Sequence, residues 1–274
     1  MKNKEIKTKT LLDFSIKTAH SVGIILEKLF RKENPFIRGT SKEIKTFYDE
    51  LTDKIIKKSI EKNFKNHSYL TEETGLVDKH SDYLWIIDPL DGTGNFVNHN
   101  PFFSVSIALW YKGEPLLGVI EAPILKERFI AIKNKGSFHY DLNKKNKKNE
   151  AKLSDINHLK ESYVVYCEGS EKNKLRIVNL FDKIYPQVKE VRKLGSAALE
   201  LAWIALGRAD IYFTTQISLW DIASGLIFTS EAGAKLFKFN GEEYKFKEFY
   251  NNLLNKFDLI AGKDFLVKKF LKLI

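Results

Sequence analysis

Residues 83–87, Tyr-Leu-Trp-Ile-Ile, form an unbroken apolar run that stops at Asp88-Pro89. A short apolar run closed by a polar turn pair predicts a buried strand, and no other stretch restricts the fold as much. Further strands are predicted at 105–111, at 116–120 after the Lys112-Gly113-Glu114 turn, at 128–132 and near Phe138. Close spacing and tight turns point to an antiparallel sheet. Upstream, Val22, Ile25, Leu26, Leu29 and Phe30 fall on one stripe of a helix over 9–31, and Ile56, Ile60 and Phe64 on a second over 41–64. Asp49 lies in the first half of that second helix. The sheet is expected to pack on both helices.

Residues 141–150, Asp-Leu-Asn-Lys-Lys-Asn-Lys-Lys-Asn-Glu, are almost free of apolar side chains and predict a loop or solvated hairpin tip. Beyond them strands and helices alternate. Strands are expected at 163–166, 188–193, 211–214 and 259–261, and helices at 174–185, 195–207, 220–232 and 265–273. The chain therefore divides into an N-terminal half, 1–142, and a C-terminal α/β half, 143–274.

A chain of 274 residues can bury roughly 70–75% of its unfolded surface without a disulfide or metal staple. Its 43% hydrophobic content excludes a disordered or fibrous protein. Cys167 is the sole cysteine, so no intrachain disulfide forms. The net charge of +10 suggests an anionic partner, yet only six of the 45 basic residues are arginines. Scattered lysine fits a solvated surface better than a nucleic-acid groove, and a small anionic substrate stays open. No segment reaches the ~18 apolar residues of a membrane span. The basic N-terminus meets Asp13 directly after Leu11-Leu12, so it does not read as a signal peptide, and a cytoplasmic location is expected.

The chemistry concentrates in acids. The strand ending at Ile87 delivers Asp88 and Asp91, with Pro89 fixing the backbone between them and the Leu90 carbonyl beside them. Gly92 and Thr93 follow in a turn whose free N–H groups favour an anion. Two further acidic sites flank this one: Thr71-Glu72-Glu73-Thr74-Gly75 upstream, and Leu219-Trp220-Asp221-Ile222-Ala223-Ser224-Gly225 downstream. The histidines show no metal-binding spacing.

Together these three segments resemble the inositol monophosphatase family, within the superfamily that includes fructose-1,6-bisphosphatases and 3′-phosphoadenosine-5′-phosphate phosphatases. Asp88 to Phe96 matches the family's first signature, and Trp220-Asp221-Ile222-Ala223 with Gly225 matches the second. The resemblance spans about 49–234. It implies a layered αβαβα sandwich of α+β / α/β class, with an antiparallel sheet and two helices in the N-terminal half and a mixed sheet with helices in the C-terminal half. It also implies that Glu72, Asp88, Asp91, Asp221 and the Leu90 carbonyl hold two or three Mg²⁺ ions. The all-oxygen donor set suits that hard cation.

The reaction implied is hydrolysis of a phosphate monoester by in-line attack of a metal-activated water. Gly92 and Thr93 would bind the phosphate, and Asp49, Thr93 and Glu72 would act in catalysis. The surroundings of Asp49, Thr46-Phe47-Tyr48, depart from the family's small residues. Gly195, Ser196 and Ala197 match a substrate-side loop. Thr214 stands where typical members carry a glutamate that accepts inositol hydroxyls, so a contact of about 1.5–3 kcal/mol is missing. Inositol monophosphate, a phosphorylated sugar or a nucleotide phosphate are the expected substrates, with 3′-phosphoadenosine 5′-phosphate or fructose 1,6-bisphosphate as alternatives. From another class, a basic RNA- or protein-binding regulatory protein on the same fold is the rival. The resemblance further implies lithium sensitivity and a homodimer.

Overall fold

The computed structural model describes residues 7–32, 37–38, 45–144, 147–169 and 174–274. Its strands are β1 (Ile37–Arg38), β2 (Lys45–Thr46), β3 (Ser68–Thr71), β4 (Gly75–Val77), β5 (Tyr83–Asp91), β6 (Ser104–Tyr111), β7 (Glu114–Ala122), β8 (Glu127–Ile132), β9 (Gly136–Asp141), β10 (Lys147–Glu150), β11 (Tyr163–Glu168), β12 (Glu190–Arg192), β13 (Ile211–Ile217), β14 (Lys235–Phe237) and β15 (Phe257–Gly262). The helices are α1 (Thr8–Leu29), α2 (Phe47–Asn63), α3 (Thr93–Val97), α4 (Lys174–Ile184), α5 (Ala197–Ala205), α6 (Leu219–Glu231), α7 (Phe246–Tyr250) and α8 (Asp264–Leu271).

Eight strands form one sheet in the order β10-β9-β8-β7-β6-β5-β3-β4, and five form a second in the order β12-β11-β13-β15-β14. The first sheet is antiparallel except where β3 runs parallel to β5. The second is mixed: β12, β11 and β13 are parallel, while β15 and β14 run antiparallel. This is the expected layered α+β sandwich. Helices α1 and α2 cover one face of the large sheet, α5 and α6 lie between the sheets, and α4 and α8 cover the outer face of the small one.

The apolar run at 83–87 has its explanation here. Leu84 and Ile86 face the layer of α5 and α6, whereas Trp85 and Ile87 face α1 and α2, so both sides of β5 are buried. Helix α5 is buried nearly all round, as a helix between two sheets must be. It approaches α6 so closely that a Cβ on Gly225 would sit 2.6 Å from Leu201 Cδ1.

One boundary differs from expectation. The second helix starts at Phe47 rather than at 41, because Lys45–Thr46 pairs as a strand with Ile37–Arg38; residues 41–44 lie outside the described residues. In the lysine-rich stretch, β10 pairs with β9 and adds a strand to the large sheet, in keeping with the expected hairpin; residues 145–146 lie outside the described residues. Among the described residues no helix is long and apolar enough to cross a membrane.

Candidate active site

The acids singled out from the sequence arrive from different layers. β5 ends in Asp88 and Asp91, and its register with β6 shifts between those two residues. Glu72 follows β3, and its N–H donates to the Ile87 carbonyl at 3.3 Å, which holds it beside the end of β5. The turn carrying Glu72 is tied to α2 through Thr74 Oγ1, which donates to Asp53 Oδ2 at 2.9 Å. Asp221 stands in the first turn of α6, and its Oδ2 accepts the Ser218 N–H at 3.0 Å. One carboxylate oxygen from each of Glu72, Asp88 and Asp221 falls within a sphere where all three lie within 4.8 Å of one another.

These residues line a cavity of about 450 Å³ together with Leu90, Asp91, Gly92, Thr93 and Gly94. Its other walls include Cys167, Glu168, Gly195, Ala197, Ser218, Trp220 and Lys256. Gly92 has φ +91°, and a Cβ there would meet the Gly195 and Phe102 carbonyls at 3.0 and 3.1 Å. Only glycine allows the turn to pass between them.

Burial and crowding of like charges act together on the acids. Burial, then Glu72, Asp91 and Asp221, push the Asp88 carboxyl well above its ordinary value. Burial pushes Asp91 up to about 7 and Asp221 up to about 6, although Lys256 draws Asp221 down. An oxygen-only cluster that resists ionising by itself is matched in charge and in donor type by a hard divalent cation.

Asp91 also holds α5 in place. Its Oδ1 accepts the Ala197 N–H at 3.1 Å, and its Oδ2 accepts the Ala198 N–H at 3.0 Å and the hydroxyl of Ser196. Ser104 Oγ donates to Oδ2 as well, at 3.2 Å. The carboxylate thus satisfies the first turn of α5. Thr93 Oγ1 lies 2.7 Å from Asp49 Oδ1 and 3.1 Å from the Leu90 carbonyl. Asp49 is buried in the first turn of α2 and meets the cavity through Thr93.

On the substrate side, Gly195 and Ala197 reach the cavity wall, but Ser196 and Thr214 do not. The Ser196 hydroxyl is engaged by Asp91, and Thr214 is fully buried on β13. The loop at 194–196 is fixed by residues that sequence reasoning passed over. Glu200 Oε1 accepts the N–H groups of Leu194 and Gly195 at 2.8 and 2.9 Å, and Asn95 Nδ2 donates to the Leu194 carbonyl at 2.7 Å. Glu200 carried a signal, since an acid inside an otherwise apolar helix is rarely left unpartnered. Glu168 and Lys256 had none, because neither sits in a motif.

The inositol monophosphatase family model matches residues 7–271. The chain belongs to the inositol monophosphatase family. Members of this family are metal-dependent in general, which agrees with the acid cluster. One relative, the fructose-1,6-bisphosphatase/inositol-1-monophosphatase of Thermotoga maritima, is 36% identical over 234 residues, covering 85% of this chain and 86% of its own. Another, named Nus factor SuhB, from Pasteurella multocida, is 31% identical over 272 residues, covering 96% and 95%. Among solved structures, Thermotoga maritima IMPase superposes with a TM-score of 0.83 at 30% identity over 96% of each chain. The extragenic suppressor protein suhB of Bartonella henselae does so with a TM-score of 0.84 at 26% identity, covering 96% and 97%.

Proposed function

We propose that this inositol monophosphatase family member is a Mg²⁺-dependent phosphate monoester hydrolase acting on inositol monophosphate or a related small phosphorylated sugar or nucleotide. The observation that carries the reading is the convergence of Glu72, Asp88 and Asp221 in one cavity with the Gly92–Thr93 turn. Glu72, Asp88, Asp91, Asp221 and the Leu90 carbonyl are the proposed holders of two or three Mg²⁺ ions. When bound, such ions lower the pKa of water, neutralise phosphate oxygens and stabilise a leaving alkoxide.

The protein's own groups do the positioning. The N–H groups of Gly92 and Thr93, at the start of α3, bind phosphate oxygens. The Thr93 hydroxyl donates its proton to Asp49, which leaves its lone pairs to accept a hydrogen from the attacking water. Asp49 thereby fixes the direction of attack, and Glu72 acts with this pair as well as with the metal set. Gly195 and Ala197 form the wall toward the leaving group, with Ser196 behind them, while Thr214 on β13 supplies no charged acceptor. The same reading carries lithium inhibition, a homodimer and a cytoplasmic setting.

A regulatory role is the second reading, favoured by the near full-length similarity to relatives named Nus factor SuhB. A phosphate-release panel with Mg²⁺ decides between them: inositol 1-phosphate, fructose 1,6-bisphosphate, 3′-phosphoadenosine 5′-phosphate, 2′-AMP and histidinol phosphate. Release from at least one, lost with the fold intact in Asp221→Asn, whose remaining oxygen can still accept the Ser218 N–H, is expected. No release from any of them leaves the regulatory reading alone.

A further inference from the structure

Lys256 stands exposed at the mouth of the acid-lined cavity, just before β15. Among the described wall residues it is the one cation, set against Glu72, Asp88, Asp91, Glu168 and Asp221. Two contacts hold it there. Its ammonium lies 5.4 Å from the centre of the Trp220 ring and donates to Ser218 Oγ. An ammonium carries three N–H donors, and among the described residues Ser218 is its one hydrogen-bond acceptor. Glu168 does not draw it away, because that carboxylate is met by Lys193 Nζ at 3.1 Å.

The cavity wall therefore has two unlike contributions. The turn at 91–94 comes from the large sheet and offers backbone N–H groups beside the acids. Lys256, Ser218 and Trp220 come from the small sheet and the start of α6, and offer a fixed positive charge with donors to spare. A ligand spanning the cavity meets both.

We propose that Lys256 is a specificity-determining residue that binds a second anionic group, carried on the leaving-group portion of the substrate. The preferred substrates are then small phosphate monoesters bearing a further anionic group. This rests on the hydrolase reading above and narrows its substrate class. The competing role for Lys256 is to offset the charge of Asp221, which it influences through Ser218.

The test measures binding of fructose 1,6-bisphosphate and of fructose 1-phosphate by calorimetry, on the whole protein with Ca²⁺ in place of Mg²⁺. The wild type is expected to bind the bisphosphate at least ~10-fold more tightly, the scale of one charge-assisted contact. Lys256→Met, which keeps the apolar stem over Trp220, should erase that difference and leave monophosphate and metal affinity within about twofold; Lys256→Arg should keep part of it. Equal binding of both ligands by the wild type overturns the proposal. So does a parallel change for both ligands in Lys256→Met, or a shifted metal affinity, since either shows that the ammonium serves Asp221. Phosphate release with Mg²⁺ separates the two layers of inference. Discrimination in binding without release from any compound of the monoester panel rejects the hydrolase and keeps the role of Lys256, whereas turnover without discrimination does the reverse.

Discussion

At the scale of single residues, the site is an arrangement of acids that disfavour one another. Burial pushes the carboxyls of Asp91 and Asp221 up to about 7 and about 6, against an ordinary value of 3.8. Native protein then holds protons that the unfolded chain has released. In the chelated protein their contribution favours folding below about pH 4 and is lost as pH rises through 6 to 7. Thermal melts with chelator should show that decline, and Mg²⁺ should raise the melting temperature more at pH 8 than at pH 5. Asp88→Asn removes one of the crowded charges and keeps Oδ1, which accepts the Leu90 N–H at 3.0 Å. That variant is expected to melt higher than wild type in chelator at pH 8, to lose the Mg²⁺-induced rise, and to release phosphate more than ~100-fold more slowly, beyond the usual cost of an outer partner. A lower melting temperature in chelator would show that repulsion among these carboxylates is not what burial has imposed.

Elements decide which of these residues meet. Asp88, Leu90, Asp91, Gly92 and Thr93 were legible because one strand and its turn deliver them in sequence. Glu72 and Asp221 were legible through their own short motifs. Ser104, Asn95 and Glu200 were not, since their roles exist only once β6, α3 and α5 pack around the end of β5. Strands β4 and β14 and helix α7 are too short for periodicity to reveal, and α2 starts later than its apolar pattern suggests because Lys45–Thr46 pairs as a strand. The loop before α5 gives a sharp test. Glu200→Leu leaves the half-buried N–H groups of Leu194 and Gly195 without their acceptor, costing about 1–3 kcal/mol in urea unfolding. Glu200→Gln retains Oε1 and should stay within about 1 kcal/mol, because burial already pushes this carboxyl well above the ordinary range, toward its neutral form. Gly225→Ala should cost about 1–3 kcal/mol through overpacking against Leu201. Unchanged unfolding in that variant would mean that α5 and α6 can slide apart at little cost.

For the whole molecule, the net charge of +10 and the acidic cavity have opposite sign. A lysine-rich exterior raises the local concentration of an anionic substrate, and salt screens that field. The expected signature is a several-fold fall in kcat/KM between about 0.02 and 0.2 M salt, with kcat little changed. A flat profile would assign the lysines to solubility alone. The seam between the layers has a consequence in time. Asp91 belongs to the large sheet, yet the N–H groups it accepts begin α5, and Asp221 begins α6. A chain emerging from the ribosome has made Asp88 and Asp91 long before the residues that complete their surroundings exist. The cavity is therefore among the last features to form, and metal affinity becomes a reporter of completed folding: a growing chain stopped short of residue 221 presents no finished site for a stray ion to lock.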